Sequence, residues 1–278
     1  MDSLPSAEGP ELTSTANERV KAVVRLRDRR ERERTGLTVV DGAREIRRAI
    51  EAGVGISEVF VHEPSLAGPD AQAAVELLRG RGIAVTRTSE PVMARLAFGQ
   101  RAEGLVAVVQ APGTALADLV LPPDPLVVVV EGVEKPGNLG AILRSADGAG
   151  ADAVIAASPR TDLFNPNVIR ASAGILFGLP LAAAPSQDVI EWLRARGVTI
   201  VAARVDAPLP YTAADLRGPL AIVLGSEAGG LTVAWTGEDV VGVHLPMLGV
   251  ADSLNVSVTA AVLLYEARRQ RGPAGLSV

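Results

Sequence analysis

Leu126-Val127-Val128-Val129-Val130-Glu131-Gly132-Val133-Glu134-Lys135-Pro136-Gly137-Asn138 decides the fold. Five consecutive aliphatic residues leave no polar face, so a strand at 126–130 is buried on both sides, as the strands of parallel sheets are. The glycine- and proline-containing turn that follows opens a helix, whose first N–H groups lack partners within the helix and are free for a ligand. The stretch is not a dinucleotide fingerprint, because the Gly-x-Gly-x-x-Gly spacing is missing. Nor is it a phosphate loop, because Gly-Lys-Ser/Thr is missing.

Similar runs recur towards the C-terminus, at Ala153–Ala156, Val198–Ala203, Leu220–Leu224 and Val241–Leu245. Helical patterns lie between them, including Asp188–Arg196. A last helix beginning near Ser253 ends in Arg268, Arg269 and Arg271, then Gly272-Pro273, which are C-terminal signals. This alternation predicts an α/β domain with a parallel sheet. Polar or glycine-rich residues fall where buried runs end, and α/β domains build ligand crevices there. One such place is Asn138-Leu139-Gly140-Ala141-Ile142-Leu143-Arg144. A second is Leu224-Gly225-Ser226-Glu227-Ala228-Gly229-Gly230, and a third is Leu245-Pro246-Met247 with Ser253-Leu254-Asn255-Val256-Ser257. Arg144 stands among small apolar residues, where an arginine needs a partner. Ser253 suits a helix N-cap. Asn255, in the first turn, either serves the helix or hydrogen-bonds a ligand.

Upstream, short runs at Leu37–Val40, Glu58–Val61, Ile83–Thr86 and Leu105–Val109 alternate with helical stretches near Ala43–Ala52, Asp70–Arg79 and Pro91–Leu96. They predict a separate small α/β unit over 17–111, joined by a Pro-rich linker, 112–124, to a second domain over 125–271. Residues 1–16 are rich in Pro, Ser, Glu and Gly and read as a disordered tail. Residues 17–34 read as one polar helix with eight bases against four acids. That helix is either a solvated one laced with i,i+4 pairs or an arm that contacts phosphates.

The chain has 278 residues and 48% hydrophobic but only 3% aromatic residues, so the core is aliphatic. Without cysteine there are no disulfides, no thiolate-ligated zinc and no cysteine nucleophile. Only two histidines, His62 and His244, are present. A metal site or a Ser-His-Asp hydrolase is therefore not expected. No apolar run reaches the roughly 18 residues of a membrane span, and the polar N-terminus is not a signal peptide. A cytoplasmic protein is the expectation. The net charge of −5 argues against a uniformly basic nucleic-acid binder. Lys21 and Lys135 are the only lysines, and we read this arginine bias as compositional.

Taken together, in this order and spacing, the three segments resemble the motifs of the SpoU (TrmH) branch of the SPOUT RNA methyltransferases. The matching positions are Asn138 with Arg144, Gly225-x-Glu227-x-x-Gly230, and Pro246-Met247 with Ser253-Leu254-Asn255-Val256-Ser257. Leu263-Leu264-Tyr265-Glu266 resembles the family's closing helix. Val40-Asp41-Gly42 and Gln100-Arg101-Ala102-Glu103-Gly104 resemble, more weakly, the L30e-like substrate-binding domain of many members. The resemblance implies S-adenosyl-L-methionine (AdoMet)-dependent 2′-O-methylation of a ribose in large-subunit (23S) rRNA. It also implies a homodimer and a C-terminal domain tied in a deep trefoil knot, which sequence physics alone would not predict. Arg170, in Ile169-Arg170-Ala171-Ser172, and the Arg- and Ala-rich composition resemble the actinomycete enzymes that confer resistance to ribosome-targeting antibiotics of the avilamycin, thiostrepton or nosiheptide type.

Carried over residue by residue, the resemblance implies catalytic roles for Arg144, Asn138, Glu227, Ser253 and Asn255. It implies cofactor contacts from Leu224, Gly225, Glu227, Gly229, Leu245, Met247, Ser253, Leu254 and Asn255. RNA contacts fall to Arg144, Arg170, Arg44 and Gln100. Arginine, with a pKa above about 12, is a poor base. Arg144 is therefore easier to defend as a phosphate contact and a source of transition-state electrostatics than as the proton acceptor. Three competing readings remain: a tRNA 2′-O-methyltransferase, a non-catalytic RNA-binding or ribosome-assembly protein, and a doubly wound oxidoreductase. The last suffers from the missing dinucleotide fingerprint.

Overall fold

A computed structural model describes residues 10–98 and 103–272, which separate into two compact units. The first contains α1 (Glu18–Arg25), α2 (Arg29–Thr35), β1 (Leu37–Asp41), α3 (Ala43–Glu51), β2 (Ile56–Val61), α4 (Gly68–Gly80), β3 (Thr86–Arg87), α5 (Glu90–Leu96) and β4 (Leu105–Gln110). Its sheet runs β1-β4-β2-β3, with β4 antiparallel to both neighbours and β2 parallel to β3. Val39, Phe60, Val106 and Val108 fill the face covered by α1 and α5. At about 1.5–3 kcal/mol for each fully buried large aliphatic or aromatic side chain, such a face holds both helices.

The expected single helix over 17–34 is two. Leu26 closes α1, and the Asp28 side chain accepts the Arg30 N–H at 2.7 Å to start α2 anew. The solvated-helix reading accounts for much of its charge: Lys21 pairs with Glu18, Arg29 with Glu33, and Arg34 with Glu31. Arg32 is buried and pairs with Asp162 at 2.7 Å. The tail expected to be disordered is held from Leu12 onward, which bridges Thr88 and bonds Arg87 and Ser89 through its backbone.

The second unit contains β5 (Leu126–Glu131), α6 (Pro136–Gly148), β6 (Ala153–Ala157), then, beyond α7 (Pro166–Ala171), β7 (Leu181–Ala184), α8 (Ser186–Arg194), β8 (Thr199–Ala203), β9 (Leu209–Pro210), β10 (Leu220–Leu224), β11 (Val240–His244) and α9 (Val256–Arg271). All seven strands are parallel, in the order β7-β6-β5-β10-β8-β11-β9. β5 lies near the middle and every residue of it is buried, as its unbroken aliphatic run requires. Leu116, Leu119 and Leu121, expected in a linker, pack on this core instead.

One segment departs from the expected contiguous domains. Residues 162–178, which include α7, belong to the first unit. The buried Thr38 hydroxyl donates to the Phe164 carbonyl at 2.7 Å, and Arg48 donates to Ala173 at 2.7 Å. No periodicity announced this, because a short segment binding through scattered polar contacts leaves no apolar pattern to read.

Candidate active site

Parallel strands end their carboxyl termini on one edge, and the second unit opens a cavity of about 860 Å³ there. Its walls come from the ends of β8 (Ala203, Arg204), β10 (Leu224) and β11 (Val243, His244, Leu245). The loop 225–231, Met247 and the lead-in to α9 complete it.

The loop is built by its glycines. Ser226 and Gly230 exchange backbone hydrogen bonds at 3.1 and 2.9 Å, and the Ser226 hydroxyl accepts the Gly229 N–H at 3.1 Å. A side chain at Gly225 would run into the Gly230 carbonyl and the Leu231 nitrogen. Only glycine permits so close a return of the chain.

The loop's exit is tied down by a residue the sequence reading passed over. Glu131 ends β5 with 3% of its surface exposed. Its carboxyl group accepts the Thr232 N–H at 2.7 Å, the Thr232 hydroxyl at 2.9 Å and the Ser186 hydroxyl at 2.6 Å. A carboxyl group in the last position of a buried strand, otherwise costly to desolvate, was the signal available.

At the cavity's edge a polar chain links all three sequence segments. Asn138 donates to the Glu227 carboxyl group, and Asn255 donates to Asn138 Oδ1 at 3.2 Å. Asn255 Oδ1 in turn accepts the Ser257 N–H at 2.9 Å and the Ser257 hydroxyl at 2.7 Å. Asn255, not Ser253, is thus the N-cap of α9, which starts at Val256 rather than near Ser253. Each asparagine retains one amide hydrogen for a further acceptor.

Of the expected residues, Leu224, Gly225, Glu227, Gly229, Leu245, Met247, Ser253, Leu254 and Asn255 line this one cavity. Asn138 reaches it through Glu227 and Asn255. Arg144, in contrast, is exposed on α6 and does not line it. The partner expected for Arg144 from its apolar neighbourhood is absent among the described residues, because the helix turns its side chain to solvent. Arg44 pairs with Asp70 at 3.6 Å, and Arg170 bonds Asp41 at 3.1 Å and the Phe98 carbonyl, all within the first unit. Gln100 lies outside the described residues.

The cavity has a charged side. Arg204 forks onto Asp206 at 3.1 and 3.2 Å, a hydrogen-bonded pairing that raises the arginine's pKa and lowers the aspartate's. Arg204 Nη1 and His244 Nδ1 are buried without a partner among the described residues. Buried polar atoms of this kind in cavity-lining residues await an acceptor or donor from outside the chain.

A parallel α/β domain whose strand ends, glycine loop and spare polar atoms enclose a cavity of this size has the features of a small-molecule binding domain. Comparison with known proteins narrows the class. Residues 125–265 match the SpoU rRNA Methylase family and residues 17–107 the MRM3-like substrate binding domain. The chain belongs to the SpoU rRNA methylase family. It is 33% identical over 258 residues to a 23S rRNA (uridine(2479)-2′-O)-methyltransferase of Streptomyces viridochromogenes, covering 88% of this chain and 87% of that one. A solved RNA 2′-O ribose methyltransferase superimposes with a TM-score of 0.83 at 43% identity, over 94% of this chain and 99% of that one. An AdoMet-bound rRNA methyltransferase from Sinorhizobium meliloti does so with a TM-score of 0.84 at 30% identity, over 94% and 97%.

Proposed function

We propose that the protein transfers the methyl group of AdoMet to a ribose 2′-hydroxyl of large-subunit (23S) rRNA. The observation that carries this is the convergence of three distant sequence segments on one cavity, joined by the Glu227–Asn138–Asn255 chain. The cavity fits the cofactor. Backbone at Leu224, Gly225, Leu245, Met247 and Leu254 offers an apolar, close-approach cradle for an adenosine, and the spare atoms of Arg204 and His244 suit its polar groups. AdoMet supplies an electrophilic methyl group.

The chain's residues supply the rest. Glu227 and Asn138 fix the loop's outer edge, and Asn255, held at both ends of its amide, orients the entrance to α9. Arg144 is assigned to phosphate contact and to stabilising the developing alkoxide, not to removing the proton itself. Arg44, Arg170 and Gln100 are proposed to face RNA from the first unit, read as an L30e-like substrate-binding domain over residues 17–111.

Because Arg144 stands apart from the cavity of its own chain, we assign the working enzyme as a homodimer. Exposed Leu248, Val250, Leu254 and Val258, in the cavity-closing segment and on α9, support an apolar interface. A trefoil knot is supported by the strand order. β10 enters between β5 and β8, and β11 between β8 and β9, so the chain twice returns into a sheet already laid down. Action in the cytoplasm is proposed because rRNA is the substrate of this reading; among the described residues no helix is long and apolar enough to cross a membrane. A role in resistance to a ribosome-targeting antibiotic is proposed from the Arg170 resemblance and is tested by the inhibitory concentration for a sensitive host expressing the protein. The function itself is tested by calorimetry. AdoMet should bind with one site per chain in the wild type and none in Gly225→Ala; equal binding by both would place the cofactor elsewhere.

A further inference from the structure

Basic side chains are spread along the first unit, but in most places an acid faces them. Arg19 meets Glu58, Arg32 meets Asp162, and Arg44 and Arg47 meet Asp70. One place differs. α1 and α5 pack together, and beside them lies a cleft of about 340 Å³ lined by Thr15, Val20, Lys21, Val24, Arg25 and Arg95. Among the described residues no carboxylate lines it. Lys21 and Arg25 are one turn apart on α1 and therefore share a face.

The charges there are weakly balanced. Lys21 bonds Glu18 at 2.8 Å on the exposed side, while Arg25 approaches Glu31 only to 3.9 Å, beyond a hydrogen bond. Among the described residues no carboxylate pairs with Arg95. Its neighbour Arg27 spends its hydrogen bonds on the Arg95 and Ala97 carbonyls, at 2.8 and 2.9 Å, and lies over the Phe98 ring at 5.1 Å. Burial, and then the nearby Arg95 guanidinium, lower the Arg27 pKa. Positive charge thus gathers at a cleft where Glu18 and Glu31 offset Lys21 and Arg25 only from outside its lining and, among the described residues, no carboxylate pairs with Arg95, in a protein whose net charge is −5.

We propose that this cleft seats the phosphodiester backbone of the RNA substrate, with Lys21, Arg25 and Arg95 as its phosphate contacts and Val24 and Thr15 against a ribose. The assignment rests on the RNA-methylation reading and adds a binding surface to it. RNA fits better than a free phosphate. The lysine and Arg25 side chains are half exposed, so a single ion would be held weakly, whereas a polyanion gains counterion release at each contact. A lining of cations, aliphatic side chains and, among the described residues, a single neutral polar group, the Thr15 hydroxyl, favours backbone over base recognition.

The test uses the full-length protein and deproteinised large-subunit rRNA, with affinity measured across a salt series. Arg25→Ala/Arg95→Ala should weaken binding at least about tenfold near 0.1 M salt and flatten the log–log salt slope by about 1.4, at roughly 0.7 per phosphate for single strands. AdoMet affinity and melting temperature should not change. Arg95→Lys, which keeps the charge, should retain affinity to within about threefold, since phosphate contact is chiefly electrostatic. Arg194→Ala/Arg217→Ala, at exposed sites on the second unit where these arginines pair with Asp239 and Asp215, controls for net charge. Wild-type affinity and slope in Arg25→Ala/Arg95→Ala would overturn the proposal. So would an equal loss in Arg194→Ala/Arg217→Ala, or displacement of the RNA by inorganic phosphate at constant ionic strength. If the wild type transfers no methyl group yet Arg25→Ala/Arg95→Ala loses rRNA affinity, the cleft stands and the enzymatic reading falls. If the wild type methylates rRNA while Arg25→Ala/Arg95→Ala binds it as tightly, the cleft falls and the enzymatic reading stands.

Discussion

Replacing Glu131 with alanine should uncouple the cofactor loop from the sheet. The side chain is almost fully buried and accepts three hydrogen bonds, two of them from Thr232, the residue that ends the glycine loop. Hydrogen bonds to a charged group contribute about 1.5–3 kcal/mol each, but their sum overstates the loss, because the variant also escapes burying the carboxyl group. Removing the acceptor strands two donors of Thr232 and one of Ser186, at about 1–3 kcal/mol for each buried group left unsatisfied. With two of three bonds on the loop, roughly 2–3 kcal/mol of that biases the loop towards its closed form. At 1.4 kcal/mol per factor of ten, AdoMet affinity should fall about 30- to 150-fold. Glu131→Gln keeps an acceptor and should lose about tenfold; Thr232→Val keeps the N–H bond and should lose about fivefold. Titration calorimetry with AdoMet, alongside thermal unfolding, reads all three. AdoMet affinity within about twofold of wild type in a folded Glu131→Ala protein would refute the reasoning, as would Thr232→Val weaker than Glu131→Gln.

Gly225→Ala forces the backbone at Gly230 and Leu231 to move, so AdoMet binding should be lost while the far-ultraviolet circular dichroism is retained. Asn255→Ala removes both the cap of α9 and the link to Asn138; unfolding measurements should show a loss of about 1 kcal/mol, with a larger drop in methyl transfer than in AdoMet affinity. Burial pushes the Asp41 carboxyl up to about 6, against the pull of the Phe98 N–H and Arg170 and with Glu103 and Glu45 adding to the rise. The folded state therefore holds this proton more tightly than the unfolded state. Its contribution makes stability fall as pH rises from about 4 to about 6 and level off above that. The Phe98 amide, which donates to Asp41 at 2.6 Å, should shift in NMR spectra with a midpoint near 6, and a midpoint near the ordinary aspartate value would contradict the burial argument.

How much of this was legible in the sequence depended on the kind of signal. β5 and β10 announce themselves because parallel strands buried on both faces need unbroken aliphatic runs. The Leu181–Ala184 strand has a half-buried pattern with three alanines, too weak to stand out from a loop. The break between α1 and α2 is set by one capping side chain, Asp28, inside a charged stretch where no apolar period could mark it. Ser253 and Asn255 both suit a cap by type, yet Asn255 holds that position, and its amide also reaches Asn138, a contact 117 residues away in sequence. Tertiary partners decided between two local choices. Glu131 was missed for the same reason: its value lies in Ser186 and Thr232, which only the fold brings near. The packing of residues 162–178 with the first unit has a practical consequence. Deleting residues 1–111 would strip that segment of its partners, so the first unit's role is better probed by surface substitutions.

The central claim is tested most directly by methyl transfer. Labelled AdoMet is incubated with deproteinised large-subunit rRNA and, separately, with bulk tRNA, using wild-type protein and Arg144→Ala. The account predicts label in rRNA, recovered in an alkali-resistant dinucleotide because a 2′-O-methyl group blocks hydrolysis, and none from Arg144→Ala, which should still bind AdoMet. Label confined to tRNA, label released by alkali, or wild-type transfer by Arg144→Ala would contradict it.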